Sequence, residues 1–139
     1  MMSAGLCSRA LVALSLLSVY VYADIGPGGL QWQDPIDPDV VKAATFAVSE
    51  YNQLPNEVYD YKLVKILSAE TQVVAGIIYV LNVEIGRTDC KRASTGEKSS
   101  CDIIRDSKLA KTLLCEFAVL EVPWENVESL LSSYCRILQ

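Results

Sequence analysis

Apolar residues recur at helical spacing in the stretch that follows Asp37. Asp37, Pro38 and Asp39 supply an N-cap, a proline at the first helical position and an acidic residue in the first turn. The apolar stripe, with steps of three and four residues, consists of Val40, Val41, Ala44, Ala47, Val48 and Tyr51. We therefore predict one amphipathic helix that begins after Asp37 and ends in the polar stretch 52–56.

From Tyr61 onwards the apolar spacing changes to a period of two, which is typical of β-strands. The alternation is clearest in the predicted strand 72–87, where one set of positions is Tyr79, Leu81, Val83 and Ile85 and the other is Ile78, Val80, Asn82 and Glu84. Further strands are predicted at 63–67, 112–120 and 129–138, with turns at 68–71 and 121–127 and a long polar connection at 87–108. One helix followed by consecutive strands predicts an α+β fold, an antiparallel sheet packed on that helix.

A different pattern occupies the N-terminus. Residues 10–20 are almost wholly apolar, Arg9 precedes them, and Val21-Tyr22-Ala23 has the compact residues of a cleavage site. We predict a secretory signal peptide at 1–23 and one mature domain at 24–139, and hence a secreted, extracellular protein. A membrane anchor is the alternative interpretation, but the apolar run is well short of the ~20 residues that span a bilayer.

Charge and composition narrow the classes of function. The chain has a net charge of −5 and no histidine. An acidic chain is a poor partner for nucleic acid and for anionic membranes. The lack of histidine removes the usual general base of hydrolases and the commonest metal ligand. We expect no enzymatic activity, no cofactor, no bound metal, and no nucleic-acid or membrane partner.

Of the five cysteines, Cys7 lies in the predicted signal peptide and the others are Cys90, Cys101, Cys115 and Cys135. An even number in an exported chain predicts two disulfides. Three pairings are open, and we favour the sequential one because each pair then brackets a local loop or hairpin. A four-cysteine zinc site is the alternative, disfavoured because no close Cys-x-x-Cys pair is present.

Three segments outside the helix are candidates for binding a partner. They are the unusually apolar connection at 72–76, the Pro123-Trp124 pair between the last two strands, and the Gly28-Gly29 pair in the N-terminal tail, residues 24–33. Exposed apolar loops often mark binding surfaces, and tryptophan is frequent at interface hot spots. Each segment also has a plain structural interpretation: a strand start with a glycine bulge, a tryptophan folded onto the sheet, and an untethered chain end.

In order and spacing these features resemble the secreted type 2 cystatins over nearly the whole of 24–139. The shared features are an early glycine pair, a helix ending near Glu50-Tyr51-Asn52, Gln-x-Val-x-Gly at 72–76, four cysteines, and Pro-Trp at 123–124. The resemblance implies the cystatin fold, a five-stranded antiparallel sheet wrapped around one long helix. It also implies a monomer that could form a domain-swapped dimer.

In that family the tail and two hairpins form a wedge that fills the active-site cleft of papain and the cathepsins. The resemblance therefore implies a reversible, tight-binding competitive inhibitor of papain-like cysteine proteases. The residues it assigns to the wedge are Gly28, Gly29, Gln72, Val73, Val74, Ala75, Gly76, Pro123 and Trp124. The alternative is a secreted, non-inhibitory binding or signalling protein on the same scaffold, because a fold does not dictate function.

Two further features bear on the inhibition that the resemblance implies. Gly26 and Pro27 stand where family members usually carry larger apolar side chains, which predicts weaker or less selective inhibition. Asn56 lies where an asparagine of some members blocks the asparagine-specific protease legumain. Legumain is therefore a second candidate partner, although asparagine is also common in ordinary loops.

Overall fold

The computed structural model describes residues 29–55, 57–92 and 100–138. In this part of the chain one helix packs on a five-stranded antiparallel sheet, as predicted. The elements are β1 (Gln31–Gln33), α1 (Pro38–Tyr51), β2 (Tyr59–Val74), β3 (Gly76–Lys91), β4 (Thr112–Val122) and β5 (Val127–Leu138), in the sheet order β1-β2-β3-β4-β5. The predicted signal peptide, Gly28 and Asn56 lie outside the described residues. No described helix is long and apolar enough to cross a membrane.

Helix α1 begins as the sequence predicts. The Asp37 carboxylate accepts a hydrogen bond from the Asp39 N–H at 2.9 Å, and Pro38 occupies the first helical position. The buried face consists of Val40, Ala43, Ala44, Ala47, Val48 and Tyr51. Val41 was wrongly included in this face: it is exposed, and Ala43 lies against the sheet instead. With three alanines in the contact, the helix can approach the strands closely.

The strand side of the core confirms the predicted alternation in β3. Its buried residues are Tyr79, Leu81, Val83 and Ile85, and the neighbouring ones of β4 are Leu113, Cys115, Phe117 and Val119. Burying each large apolar side chain contributes about 1.5–3 kcal/mol. Because these two strands are central in the sheet, they place both of its hairpins relative to α1.

The first hairpin corrects the predicted turn. The polar zone 68–71 was wrongly expected to be a turn, whereas the placement of 72–76 at the hairpin tip is confirmed. β2 continues to Val74, which pairs with Gly76 around the single residue Ala75. Ala69 is fully buried between the half-buried Ser68 and Glu70. Since successive strand residues point to opposite faces, these polar residues mark the outer face of a strand and not a turn.

Strand boundaries elsewhere also differ from the prediction. β3 continues past 87 to Lys91. β4 and β5 extend into the predicted connection 121–127, because Glu121 pairs with Glu128 and Val122 with Val127. Only residues 123–126 remain as the second turn.

The short strand β1 is absent from the pattern-based prediction, which placed the helix before every strand. β1 pairs antiparallel with β2, with Gln31 opposite Thr71 and Trp32 opposite Glu70. The Gln33 side-chain amide donates to the Thr71 hydroxyl at 3.0 Å. These contacts fix the end of the N-terminal tail to the edge of the sheet.

Two disulfides brace the strands. Cys90 is joined to Cys101, and Cys115 to Cys135, its direct partner across β4 and β5. This is the sequential pairing, and it leaves none of the four sulfurs as a thiolate for zinc. Among the described residues, Asp89, Cys90 and Cys101 also lie close enough together to bind a metal ion. Both sulfurs of this group are in a disulfide, so neither is available as a thiolate ligand.

The end of α1 is tied to β2 by one side chain. The Asn52 amide donates to the Tyr61 carbonyl at 2.9 Å, and its oxygen accepts the Tyr61 N–H at 2.8 Å. The Tyr61 ring meets the Tyr51 ring edge-on at 5.8 Å. Asn52 therefore supplies both of the hydrogen bonds that orient the start of β2 against the helix.

Replacing Asn52 tests this connection. We expect Asn52→Ala to lower the free energy of unfolding by about 1–3 kcal/mol, because two part-buried backbone groups lose their partner. The midpoint of urea unfolding measures it. Gln53→Ala, a neighbouring exposed position, serves as the control. Equal midpoints for the two variants would contradict the role of Asn52.

Gly76 is required by the packing of the first hairpin. Its φ is 136°, and a Cβ there would lie 2.7 Å from the Glu121 carbonyl oxygen and 3.1 Å from a Val122 methyl. The start of β3 therefore lies against the backbone of β4, closer than any side chain allows. Gly29 differs, because a Cβ there would meet nothing within 4 Å.

The two glycines form a matched pair for mutation. We expect Gly76→Ala to destabilise the protein by about 1–3 kcal/mol, since both the backbone angle and the contact with β4 become strained. Gly29→Ala should leave the thermal unfolding midpoint nearly unchanged. Similar midpoints for both variants would show that the hairpin relaxes around the added methyl.

Candidate binding surface at one end of the sheet

The strand registers bring the described wedge residues to one end of the sheet. Gln31 pairs with Thr71, so the chain before β1 runs toward the β2–β3 turn. Ile77 pairs with Glu121, which places the β4–β5 turn beside Gly76. We call this end the tip surface; its described members are Gly29, Gln72, Val73, Val74, Ala75, Gly76, Pro123 and Trp124.

The first hairpin presents apolar side chains to solvent. Val73 is 68% exposed and Val74 43%, Ala75 at the turn is also exposed, and Gln72 is half-buried. Gly76 itself is buried. Residues 72–76 therefore form an exposed apolar turn at the end of a long, fully paired hairpin, with a glycine that packs inward on β4.

The second turn holds a tryptophan in solvent. Pro123–Glu125 form one 3₁₀ turn that ends at Asn126, whose backbone is left-handed (φ 54°, ψ 41°). The Asn126 N–H donates to the Pro123 carbonyl at 3.2 Å. Trp124 is 71% exposed, so the interpretation as a tryptophan folded onto the sheet is wrong. Proline and this closed turn hold the loop stiff, which lowers the entropy cost of binding through the tryptophan.

Polar groups join the helix to the second hairpin below the tip surface. The Lys42 ammonium lies 3.8 Å from the Glu121 carboxylate and 3.9 Å from that of Glu128. Burial, followed by the negative charges of Glu121, Asp39 and Asp37, raises the pKa of Tyr79 to about 12. The Tyr79 phenol is therefore neutral at physiological pH and adds no charge to this acidic region.

The opposite end of the molecule carries a separate polar cluster around Glu57. The Lys111 ammonium lies 2.8 Å from its carboxylate, the Tyr61 hydroxyl donates to it at 3.2 Å, and Arg87 lies 3.8 Å away. Burial opposes ionisation of Glu57, but Lys111, Tyr61 and Arg87 outweigh it and hold the pKa of Glu57 below its ordinary value. Glu57 is therefore charged, and its ion pairs hold the C-terminal end of the loop that follows α1.

Arg92 holds the N-terminal end of the same loop. Its guanidinium donates to the Leu54 carbonyl, lies 3.7 Å from the Asp60 carboxylate, and stacks over the Tyr51 ring at 5.2 Å. An open cavity of about 900 Å³ lies beside it, between the end of α1 and the start of β2. Asn56 itself lies outside the described residues, so its position in the loop stays a prediction.

Trp32 is the exposed residue that the sequence analysis missed. It is 68% exposed on β1, and Leu30 just before the strand is 51% exposed. The sequence did contain an indication, namely a tryptophan in a segment without periodicity. Such a residue either packs on the body of the protein or is exposed and can bind a partner.

Comparison with known proteins agrees with the fold. A family model described as the cystatin domain matches residues 28–124. Cystatin-2 of Crotalus adamanteus is 39% identical over 108 residues, which cover 78% of this chain and 79% of that protein. The cystatin of Gallus gallus is 41% identical over 103 residues, 74% of this chain and 73% of that one.

Solved structures give the same result. The crystal structure of dimeric human cystatin F superposes with a TM-score of 0.75 at 32% identity, covering 83% of this chain and 91% of that chain. The matched family model includes Gly29, the whole first hairpin and Trp124, which are members of the tip surface. The chain therefore belongs to the cystatin family of cysteine protease inhibitors.

Proposed function

We propose that this protein is secreted and acts as a reversible, tight-binding competitive inhibitor of papain-like cysteine proteases such as cathepsins. The observation that carries the proposal is the placement of the exposed turn at Val73–Ala75 beside the exposed Trp124, at one end of a braced sheet. The tip surface would enter the active-site cleft and exclude substrate.

The first hairpin suits this role because its backbone is already paired. Val73 and Val74 lie opposite Ile77 and Gly76 in the β2–β3 ladder. The chain reverses direction at Ala75 and pairs with itself on both sides, so it cannot pass through an active site as a straight, unpaired peptide without breaking the ladder. The valines would contribute apolar contact while the turn stays uncut.

Rigidity supports tight binding. Both turns are short, the disulfide Cys115–Cys135 joins β4 to β5, and Lys42 connects the second hairpin to α1. A preformed surface loses little conformational entropy on docking, so less of the free energy of apolar burial is offset when the complex forms. The mechanism needs no catalytic group, and the tip surface contributes only apolar side chains, one amide and backbone.

The contribution of Trp124 is directly testable. We expect Trp124→Ala to raise the inhibition constant for papain by about 10- to 100-fold, since exposed interface tryptophans are frequent hot spots. The unfolding midpoint should not change. Tyr134→Ala is the matched control, because Tyr134 is 72% exposed and its partner Glu116 lies well away from the second turn.

The assay uses the oxidised chain starting at Asp24 and follows hydrolysis of a small substrate. Competitive inhibition by the parent chain, weakened by Trp124→Ala and not by Tyr134→Ala, is the expected result. A folded parent chain that leaves papain and a cathepsin fully active would favour the alternative, a secreted binding or signalling protein on this scaffold.

Legumain is a second proposed target, through Asn56. The support is that both flanks of this residue are held, by Arg92 at Leu54 and by Lys111 at Glu57. We expect legumain inhibition that is lost in Asn56→Ala and retained in Trp124→Ala, because Leu54 and Glu57 lie at the end of the sheet opposite to Trp124. Full legumain activity at saturating protein would remove this second function.

A further inference from the structure

Leu30 and Trp32 form an exposed apolar strip beside the tip surface. Trp32 lies directly opposite Glu70 in the β1–β2 pair. Glu70 follows the fully buried Ala69 and so points away from the helix. Residues directly opposite each other in an antiparallel pair share a face, so Trp32 also points away from α1. It contributes nothing to the core on the helix side.

The strip lies within reach of a partner bound at the tip surface. Glu70, level with Trp32, precedes Val74 by four residues, which is about 13 Å along an extended strand at about 3.3 Å per residue. The even separation places Glu70 and the exposed Val74 on the same face of β2. Leu30 lies nearer to the turn, since the chain before β1 runs in that direction. The strip therefore lies on the same outer face as Val74 of the tip surface.

The two tryptophans of the chain flank the first hairpin on opposite sides. Trp124 lies in the β4–β5 turn and Trp32 lies on β1, with β2 and β3 between them. They are exposed to nearly the same extent, 71% and 68%. On the Trp32 side the glycine pair supplies no side chains, so Leu30 and Trp32 are the described apolar groups that can make contact there.

We propose that Leu30 and Trp32 are a second apolar anchor, which docks on the protease surface beside the end of the cleft that receives the N-terminal tail. This inference rests on the proposed inhibition of papain-like proteases. Gly26 and Pro27, before the glycine pair, lack the larger apolar side chains that family members usually carry there. In this proposal Leu30 and Trp32, after the glycine pair, make the apolar contact instead. The protease partner must therefore present an apolar rim at that end of its cleft.

Inhibition constants give the first test. Trp32→Ala and Leu30→Ala should each raise the inhibition constant for papain by about five- to tenfold, as expected for an interface side chain outside the central hot spot. Trp32→Phe should retain most of the affinity, since a large apolar group remains. An unchanged constant in Trp32→Ala, with Tyr134→Ala as the matched exposed aromatic, would overturn the proposal.

Fluorine NMR gives a direct readout of contact. Labelling the protein with 5-fluorotryptophan yields two resonances, which Trp32→Phe and Trp124→Phe assign. Both resonances should shift when unlabelled papain is added. If only the Trp124 resonance shifts, the anchor at Trp32 is excluded while the proposed function stands. If neither shifts and papain stays active, the proposed function fails, and the anchor fails with it.

Discussion

The packing of the alanine-lined face of α1 against the central strands is the contact on which the rest of the structure depends. Ala44 and Ala47 are fully buried, as are Leu81 and Phe117 on the strands opposite. Small residues on the helix and large ones on the sheet let the sheet lie close to a single helix. One helix covers only part of so long a hairpin. The end of β2 and β3 that carries their turn is therefore left in solvent.

That uncovered end explains why apolar side chains are exposed at the tip surface. Val73 shares a face with the buried Ala69, since the two are separated by an even number of strand residues. Ala69 lies under the core and is fully buried, whereas Val73 is 68% exposed. The exposure of Val73 is therefore a result of strand length and not of a change in hydrophobic pattern. At the same end, Gly76 lets the start of β3 pack directly against the backbone of β4.

The sequence predicted the elements whose pattern repeats and missed those that depend on single contacts. Helix α1 and the alternation of β3 have several periods each, whereas β1 has three residues and follows from pairing with β2. The turn that carries Trp124 ends at the left-handed backbone of Asn126, which composition alone does not reveal. The segments of the wedge were candidates from their residue pattern, and the family resemblance assigned their roles. Trp32 was missed because it stands in a segment without periodicity.

The two ends of the molecule are built from different kinds of interaction. The tip surface rests on backbone pairing and turn geometry, while the loop after α1 rests on the side chains of Asn52, Glu57 and Arg92. Substitutions in that side-chain network need not alter the strand ladder, and changes in either turn need not alter the network. Because the two sets of contacts are separate, the surface at one end can be redesigned while the contacts that hold the other end are kept.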